Sequence, residues 1–120
     1  MANPDRVARD YLALWNEPDP SIRDRRLRDD WTPDARYVDP LMTGNGYHGI
    51  AAMITTARAQ FPGHVFKMRG MPDGHGPFVR FSWTLSPNNG LPIAGGTDIV
   101  RLASDERIAE VIGFLDKEVA

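Results

Sequence analysis

Three segments in the first half of the chain carry apolar residues at helical spacing. The first begins at Asn3-Pro4-Asp5, where a capping residue, a proline and an acidic residue together form a helix start, and it ends at Glu17-Pro18. The second runs from about residue 20 to residue 30, and its mixed Arg and Asp residues are typical of a solvated face. The third runs from Gly49 to about Gln60 and is closed by Pro62-Gly63. The pattern predicts three helices.

Shorter, β-rich runs lie between and after these helices. Ala35–Asp39 reads as a strand between the turn Thr32-Pro33-Asp34 and a glycine-rich loop over residues 41–49. Four further strands are predicted at His64–Met71, Pro77–Leu85, Leu91–Leu102 and Arg107–Asp116. They are separated by three hairpin connections, Pro72-Asp73-Gly74, Pro87-Asn88-Asn89-Gly90 and Ser104-Asp105-Glu106.

This order of elements favours one α+β domain spanning residues 1–120. Short connections make neighbouring strands of the final meander antiparallel. The packing we expect is a strongly curved sheet whose concave face is covered by the three helices, with a cavity between the two layers. Phe78, Ile112 and Phe114 fall on the opposite face of the sheet. Because that outer face is also partly apolar, we expect a homodimer formed through it.

Composition excludes several classes of function. The chain has 120 residues, 42% of them hydrophobic and 25% charged, with a net charge of −2. There is no basic excess to bind nucleic acid. The absence of cysteine excludes disulfides and thiol chemistry and fits a cytoplasmic location. No apolar run approaches 18 residues and the chain starts directly with a charged helix, so neither export nor membrane insertion is expected. The scattered histidines predict no metal site, and we expect no cofactor.

Asp39 is a candidate for chemistry because it ends a predicted strand immediately before Pro40. A strand would hold the carboxylate rigidly while the following loop leaves space beside it. The alternative is that Asp39 only caps an Asp-Pro turn.

Asp98 is the stronger candidate, because it lies within a strand that offers no turn for it to cap and Asp is depleted from strands. If it faces inward, apolar walls raise its pKa and make it a general acid or a neutral hydrogen-bond donor. The alternative is an outward Asp98 paired with Arg80 or Arg101. Two carboxylates in unlike environments would suit proton transfer next to a carbonyl group.

Three segments carry a resemblance to a known family. They are Tyr37-Val38-Asp39-Pro40, Gly46-Tyr47-His48-Gly49-Ile50, and the terminal pattern running from Gly96-Thr97-Asp98 to Gly113-Phe114-Leu115-Asp116. With the order of elements, they resemble the nuclear transport factor 2-like superfamily, and within it the SnoaL-like domain proteins. The resemblance covers residues 4–117 and implies a cone-shaped α+β domain with a deep, largely apolar pocket. It leaves the activity open, because this fold hosts isomerases, cyclases, epoxide hydrolases and binding modules.

The resemblance also implies roles for individual residues. Similarity to ketosteroid isomerase makes Asp39 the general base, with Asp98 and Tyr11 as donors to an oxyanion; a packing tyrosine with its hydroxyl at the rim is the alternative for Tyr11. Similarity to SnoaL-type polyketide cyclases makes Asp116 the acid–base residue, although strand alternation puts Asp116 on the face opposite the pocket. Similarity to limonene epoxide hydrolase adds Arg80 to these acids.

The residues considered as ligand contacts are Tyr37, His48, Arg80, Phe81, Trp83 and Phe114. Tyr37 and Trp83 read as cavity wall, and His48 as a proton carrier or an ordinary loop residue. We therefore expect a cofactor-independent acid–base enzyme of isomerase, cyclase or epoxide hydrolase type, acting on a small apolar molecule that bears a carbonyl or an epoxide. The alternative is a non-catalytic ligand-binding or dimeric interaction module, in which the aspartates would be dispensable.

Overall fold

The computed structural model describes residues 3–116. The first two and last four residues of the predicted domain lie outside this range. In chain order the elements are helix α1 (Pro4–Asn16), helix α2 (Pro20–Asp30), strand β1 (Trp31–Val38), strand β2 (Thr43–Asn45), helix α3 (Gly46–Gln60) and strands β3 (His64–His75), β4 (Phe78–Pro87), β5 (Ala94–Leu102) and β6 (Ile108–Leu115). The predicted α+β fold, with three helices in the first half of the chain, is confirmed.

Local capping explains where the first two helices begin. The Asn3 side chain accepts hydrogen bonds from the backbone of Asp5 at 3.0 Å and Arg6 at 3.4 Å, and a proline follows at the first helical position. Asp19 does the same for α2, accepting from the Ser21 backbone at 2.9 Å. Helix α3 begins at Gly46, three residues before the predicted Gly49.

The six strands form one mixed sheet in the order β2-β1-β6-β5-β4-β3. Strand β1 runs parallel to β6, and every other neighbouring pair is antiparallel. The four-strand meander was predicted correctly. Its position next to β1 places the end of the first strand beside the middle of the last two, with Val38 opposite Ile112 and Asp98 opposite Gly113.

The first strand differs most from its prediction. It starts at Trp31, directly after α2, rather than at Ala35. Its pairing with β6 shifts register between Trp31 and Arg36, so the predicted turn is a bulged part of the strand. Pro33 is tolerated there because a bulge leaves backbone groups outside the ladder. The glycine-rich loop also contains a short strand, β2, which the prediction missed.

The hairpin predicted at Pro72-Asp73-Gly74 lies elsewhere. Strand β3 continues through these residues to His75, and the chain turns at Gly76, whose φ is +52°. The turn-like composition of these residues accompanies a β-bulge, because the register of β3 against β4 shifts between Arg69 and Asp73 and Gly70 has a φ of +73°. The other two connections are turns as predicted, with the Gly90 backbone donating to Pro87 and the Glu106 backbone to Ala103.

The core lies between the helices and the concave face of the sheet. α1 packs against β3 and β4, and α3 packs against β1 and β2. Fully buried side chains from both layers meet there, including Leu14, Ile50, Ile54, Phe81 and Val111. The outer face carries exposed apolar side chains, among them Phe114, which is 55% exposed.

Candidate active site

A cavity of about 140 Å³ opens between the concave face of the sheet and the helices. An engineered cavity of about 150 Å³ in another protein binds benzene, so this space suits a molecule of roughly one ring. Its walls are mainly aromatic and aliphatic, and Asp39 and Asp98 are the two carboxylates among them.

Asp39 is held in position by three hydrogen bonds. Its Oδ1 accepts from the backbone N–H groups of Leu41 at 2.7 Å and Met42 at 3.0 Å, and its Oδ2 accepts from the Tyr37 hydroxyl at 2.6 Å. Asp39 therefore does cap the turn after β1. An ionised carboxylate can accept about four hydrogen bonds, so Oδ2 has one acceptor position left.

Asp98 faces inward and is 3% exposed, which rules out the outward alternative. Burial raises the pKa of its carboxyl from 3.8 to about 6. The nearby Tyr11 hydroxyl and Trp83 indole oppose this rise in pKa, and the charge of Asp39 adds to it. The two aspartates thus lie in unlike environments: one is anchored by donors and the other is desolvated.

Three buried donors around the cavity lack a hydrogen-bond acceptor among residues 3–116. They are the Tyr11 hydroxyl and the indole N–H groups of Trp15 and Trp83. Tyr11 and Trp83 lie close enough to Asp98 to affect its pKa, but neither forms a hydrogen bond of ordinary geometry. Burial, followed by the charge of Asp98, raises the pKa of Tyr11, so its phenol stays protonated. Such buried donors favour a ligand that brings an oxygen acceptor.

Gly113 creates the space where the two carboxylates meet. A Cβ atom at this position would lie 2.9 Å from Asp98 Oδ1 and 3.0 Å from Asp39 Cβ. At Gly96 a Cβ would lie 2.4 Å from the Phe114 backbone carbonyl oxygen and 2.7 Å from the Trp83 ring, so this glycine allows close approach of both the neighbouring strand and the indole.

Comparison with known proteins places this site in a family. Residues 8–111 match the SnoaL-like domain family. The chain belongs to that family. None of the curated proteins compared matches it.

Solved structures agree with the SnoaL-like assignment. A candidate isomerase of the SnoaL-like family from Agrobacterium tumefaciens str. C58 is 52% identical, covering 92% of this chain and 95% of its own, with a TM-score of 0.90. A nuclear transport factor 2-like protein of unknown function from Exiguobacterium sp. 255-15 is 17% identical over 93% of this chain and 99% of its own, with a TM-score of 0.73. A candidate polyketide cyclase from Sinorhizobium meliloti is 17% identical over 90% of this chain and 93% of its own, with a TM-score of 0.70. The last two likenesses concern the fold alone.

Several predicted site residues of this SnoaL-like chain lie away from the cavity. Arg80 is on the outer face, where it binds Asp73 through two hydrogen bonds of 3.1 and 2.8 Å. Phe114 is on the same outer face, since strand alternation turns it away from Val111 and Gly113. The prediction that Arg80 and Phe114 contact a pocket ligand is therefore wrong.

Asp116 and His48 are also outside the cavity lining. Asp116 follows β6 and accepts a 2.6 Å hydrogen bond from Arg69, as its position on the outer face of the strand suggests. His48 is exposed in the first turn of α3. Phe81 is 1% exposed beneath the cavity, where its ring packs edge-on against Tyr11. Tyr37 and Trp83 do line the cavity.

Among the lining residues of the SnoaL-like site that sequence reasoning missed, three carry polar groups: Trp15, Arg58 and His64. Arg58 lies in the last turn of α3 and His64 at the start of β3. No sequence motif marks these residues, because the cavity forms only when the end of α3 and the start of β3 come together. Within residues 3–116, no three His, Asp or Glu side chains are grouped to hold a metal ion. Nor does that part of the chain contain a helix with the length and apolarity to cross a membrane.

Proposed function

We propose that this SnoaL-like protein is a cofactor-independent isomerase that moves a proton next to the carbonyl group of a small apolar molecule. The observation that carries the proposal is the pair of cavity carboxylates in unlike environments, Asp39 anchored by three donors and Asp98 buried with a raised pKa. Such a pair supports opposite acid–base roles.

In this mechanism Asp39 is the base. Its free Oδ2 lone pair takes a proton from the carbon next to the carbonyl, the C–H electrons form a C=C bond, and the carbonyl oxygen becomes an enolate. Asp39 then returns the proton to another carbon of the conjugated system. No electrons enter or leave, so the step needs no redox partner.

Asp98 and Tyr11 would stabilise the enolate oxygen. With a pKa of about 6, roughly a tenth of Asp98 is protonated at pH 7 in the free protein. A ligand that fills the cavity displaces the remaining water, and the developing negative charge retains the Asp98 proton. The unpartnered Tyr11 hydroxyl supplies a second donor to the same oxygen.

The surroundings of Asp116 and Arg80 favour isomerase over cyclase or hydrolase chemistry. A cyclase-type mechanism needs Asp116 in the cavity, but Asp116 binds Arg69 outside it. An epoxide hydrolase-type mechanism needs Arg80 between two aspartates in the cavity, but Arg80 pairs with Asp73 on the outer face. Of the residues predicted as catalytic, Asp39, Asp98 and Tyr11 are left in the cavity.

The test is proton transfer on single-ring ketones. A β,γ-unsaturated cyclohexenone is incubated with the protein, formation of its conjugated isomer is followed by ultraviolet absorbance, and deuterium uptake from D₂O is measured by mass spectrometry. We expect turnover in the wild type, a loss of about 10²- to 10⁴-fold in Asp98→Asn and Asp39→Asn, and no change in Asp116→Asn. Equal rates in wild type and Asp98→Asn would reject the mechanism, and a selective loss in Asp116→Asn would favour the cyclase-type alternative.

A non-catalytic ligand-binding module is the second candidate. It is favoured by the three hydrogen bonds of Asp39, which a structural cap alone would explain. In that case the ketones would bind without exchanging protons, and affinity would depend on Trp83 rather than on the aspartates.

We also propose that two copies associate through the outer face of the sheet. Val38, Ile112 and Ile99 are neighbours across three strands, and Phe114 lies beside them. Val38 is 42% exposed and Ile112 39%. Ion pairs such as Arg101–Glu110 flank this apolar patch, so both signs of charge are available to a symmetric partner. Native mass spectrometry should find a dimer in the wild type and a monomer in Phe114→Lys; a monomeric wild type would refute this assembly.

A further inference from the structure

The cavity has a buried end and an open end with different chemistry. Asp98 at the buried end is 3% exposed, whereas Leu41 and Phe61 at the mouth are 79% and 39% exposed. Arg58 and His64 also line the cavity, and both are partly exposed, which assigns them to the open end. A ligand whose carbonyl reaches Asp98 would therefore have its other end beside these two residues.

Arg58 has most of its hydrogen-bonding capacity unused. It is half-buried, and one guanidinium nitrogen donates to the Trp15 carbonyl at 2.8 Å, at the end of α1. This contact fixes the side chain at the cavity wall. An arginine has five N–H donors in a planar fork that matches a carboxylate. Several donors thus remain for a ligand.

The charge of Arg58 also lacks a partner. It forms no ion pair with a carboxylate of residues 3–116, although six other arginines there do. Arg23 lies near enough for the charge of Arg58 to lower its pKa, after the larger effect of burial. Arg23 itself does not line the cavity and lies near Glu17 and Asp19, so the charge that favours an anion at the mouth is that of Arg58.

His64 has a free ring nitrogen at the same mouth. Its Nδ1 lies 3.0 Å from the Pro62 carbonyl oxygen. Because a carbonyl oxygen only accepts hydrogen bonds, Nδ1 is the donor, and Nε2 is left for solvent or a ligand. The mouth therefore offers polar contacts on top of the charge of Arg58.

We propose that the natural substrate carries a carboxylate and that Arg58 at the cavity mouth binds it, orienting the molecule with its carbonyl towards Asp98. This assignment of substrate class rests on the proposed function for its orientation. It makes the substrate a small ring- or chain-bearing keto acid, and it makes Arg58 a specificity-determining residue. An anion is tolerated despite buried Asp98 because its charge stays at the solvent-facing end, where Arg58 offsets the charge of Asp39, which lies beside Leu41 at the same mouth.

The test compares benzoate with benzamide, two single-ring probes of nearly equal size that differ in charge. Binding is measured by NMR titration or by fluorescence of the cavity tryptophans, at constant ionic strength. We expect wild type to prefer benzoate by about tenfold or more. Arg58→Gln should lose that preference while retaining benzamide binding, and Arg58→Lys should recover part of it. Arg25→Gln is the matched control, because it removes the same charge from an exposed position on α2.

Equal affinity of wild type for the two probes would overturn the proposal, as would a failure of benzoate to bind at millimolar concentration. So would an equal loss of both probes in Arg58→Gln, since that is the expected result if Arg58 only supports α1. If Arg58→Gln does not fold, the wild-type comparison and Arg58→Lys decide. If only Arg58→Lys folds, complete loss of the preference for benzoate in that variant would contradict a role for charge.

These binding results are independent of turnover. A preference that depends on Arg58, without proton transfer on ketones or keto acids, would support an anion-binding module and reject only the isomerase. Proton transfer without a preference for benzoate would reject only the role of Arg58.

Discussion

Replacing Asp98 with Asn should stabilise the protein at neutral pH, although we expect it to slow proton transfer by about 10²- to 10⁴-fold. The reason is the cost of burying a carboxylate that forms no hydrogen bond of ordinary geometry. The pKa of Asp98 rises from 3.8 in an exposed state to about 6 in the fold. At 1.36 kcal/mol per pH unit, this difference corresponds to about 3 kcal/mol of lost stability above pH 6.

The sign of the pH dependence follows from the raised pKa. Below about pH 4, Asp98 is protonated in both the folded and unfolded chain and costs nothing. Between pH 4 and 6 the unfolded chain has released this proton while the folded chain retains it, so stability falls as pH rises. Above about pH 6 the difference becomes constant. Asn carries no charge and should remove this slope.

The measurement is urea unfolding at pH 4, 5, 6 and 7.5, followed by tryptophan fluorescence at one protein concentration. We expect Asp98→Asn to equal wild type at pH 4 and to exceed it by up to about 3 kcal/mol at pH 7.5. Asp34→Asn, at an exposed position of β1, controls for removing one negative charge. A destabilised Asp98→Asn at pH 7.5, or an undiminished slope between pH 4 and 6, would show that burial does not govern this carboxyl.

Further predictions concern catalysis and packing. Because the protonated form of Asp98 acts as donor, kcat/KM on the cyclohexenone should fall about tenfold per pH unit above pH 6. Asp98→Asn should flatten this pH profile. A rise in kcat/KM through pH 6 would instead make Asp98 the base. Gly113→Ala should lower turnover at least tenfold and cost about 1–3 kcal/mol in urea unfolding, since its Cβ would crowd Asp98 Oδ1 and Asp39 Cβ. Gly49→Ala in α3, where a Cβ would make only ordinary van der Waals contacts, should leave turnover intact. Tyr37→Phe removes one of three donors to Asp39 and should cost about 1–3 kcal/mol, measured in the same way; an unchanged stability would mean that water replaces the phenol.

The parts of the fold that could be read from sequence are those with local causes. Capping residues and prolines mark the first two helix starts, and each cap acts within three residues of its own position. The missed features depend on partners distant in sequence. Strand β2 contains a glycine and exists because β1 pairs with it. Pro72-Asp73-Gly74 has the composition of a turn, but β3 continues through it because β4 pairs alongside.

The site follows the same division. Asp98 could be found because an aspartate within a strand contradicts strand composition and needs an explanation beyond folding. Arg80 was placed wrongly because alternation along β4 turns it to the outer face when Val79 and Phe81 face inward; the shifted register of β3 then brings Asp73 opposite it. Arg58 was missed because its position at the cavity depends on how the ends of α1 and α3 meet, and no sequence spacing encodes that contact.

Asp39 shows why a turn cap and a catalytic base need not be alternatives. The hydrogen bonds from Leu41 and Met42 hold the carboxylate in one orientation, and Tyr37 fixes its second oxygen. A flexible base would lose side-chain entropy each time it met a substrate, whereas a capping carboxylate loses that freedom when the protein folds. The hydrogen bonds that satisfy the backbone N–H groups after β1 therefore also hold the Asp39 carboxylate in place, with one acceptor position left for a substrate. Comparing deuterium uptake in wild type and Asp39→Asn tests whether this carboxylate removes a carbon-bound proton.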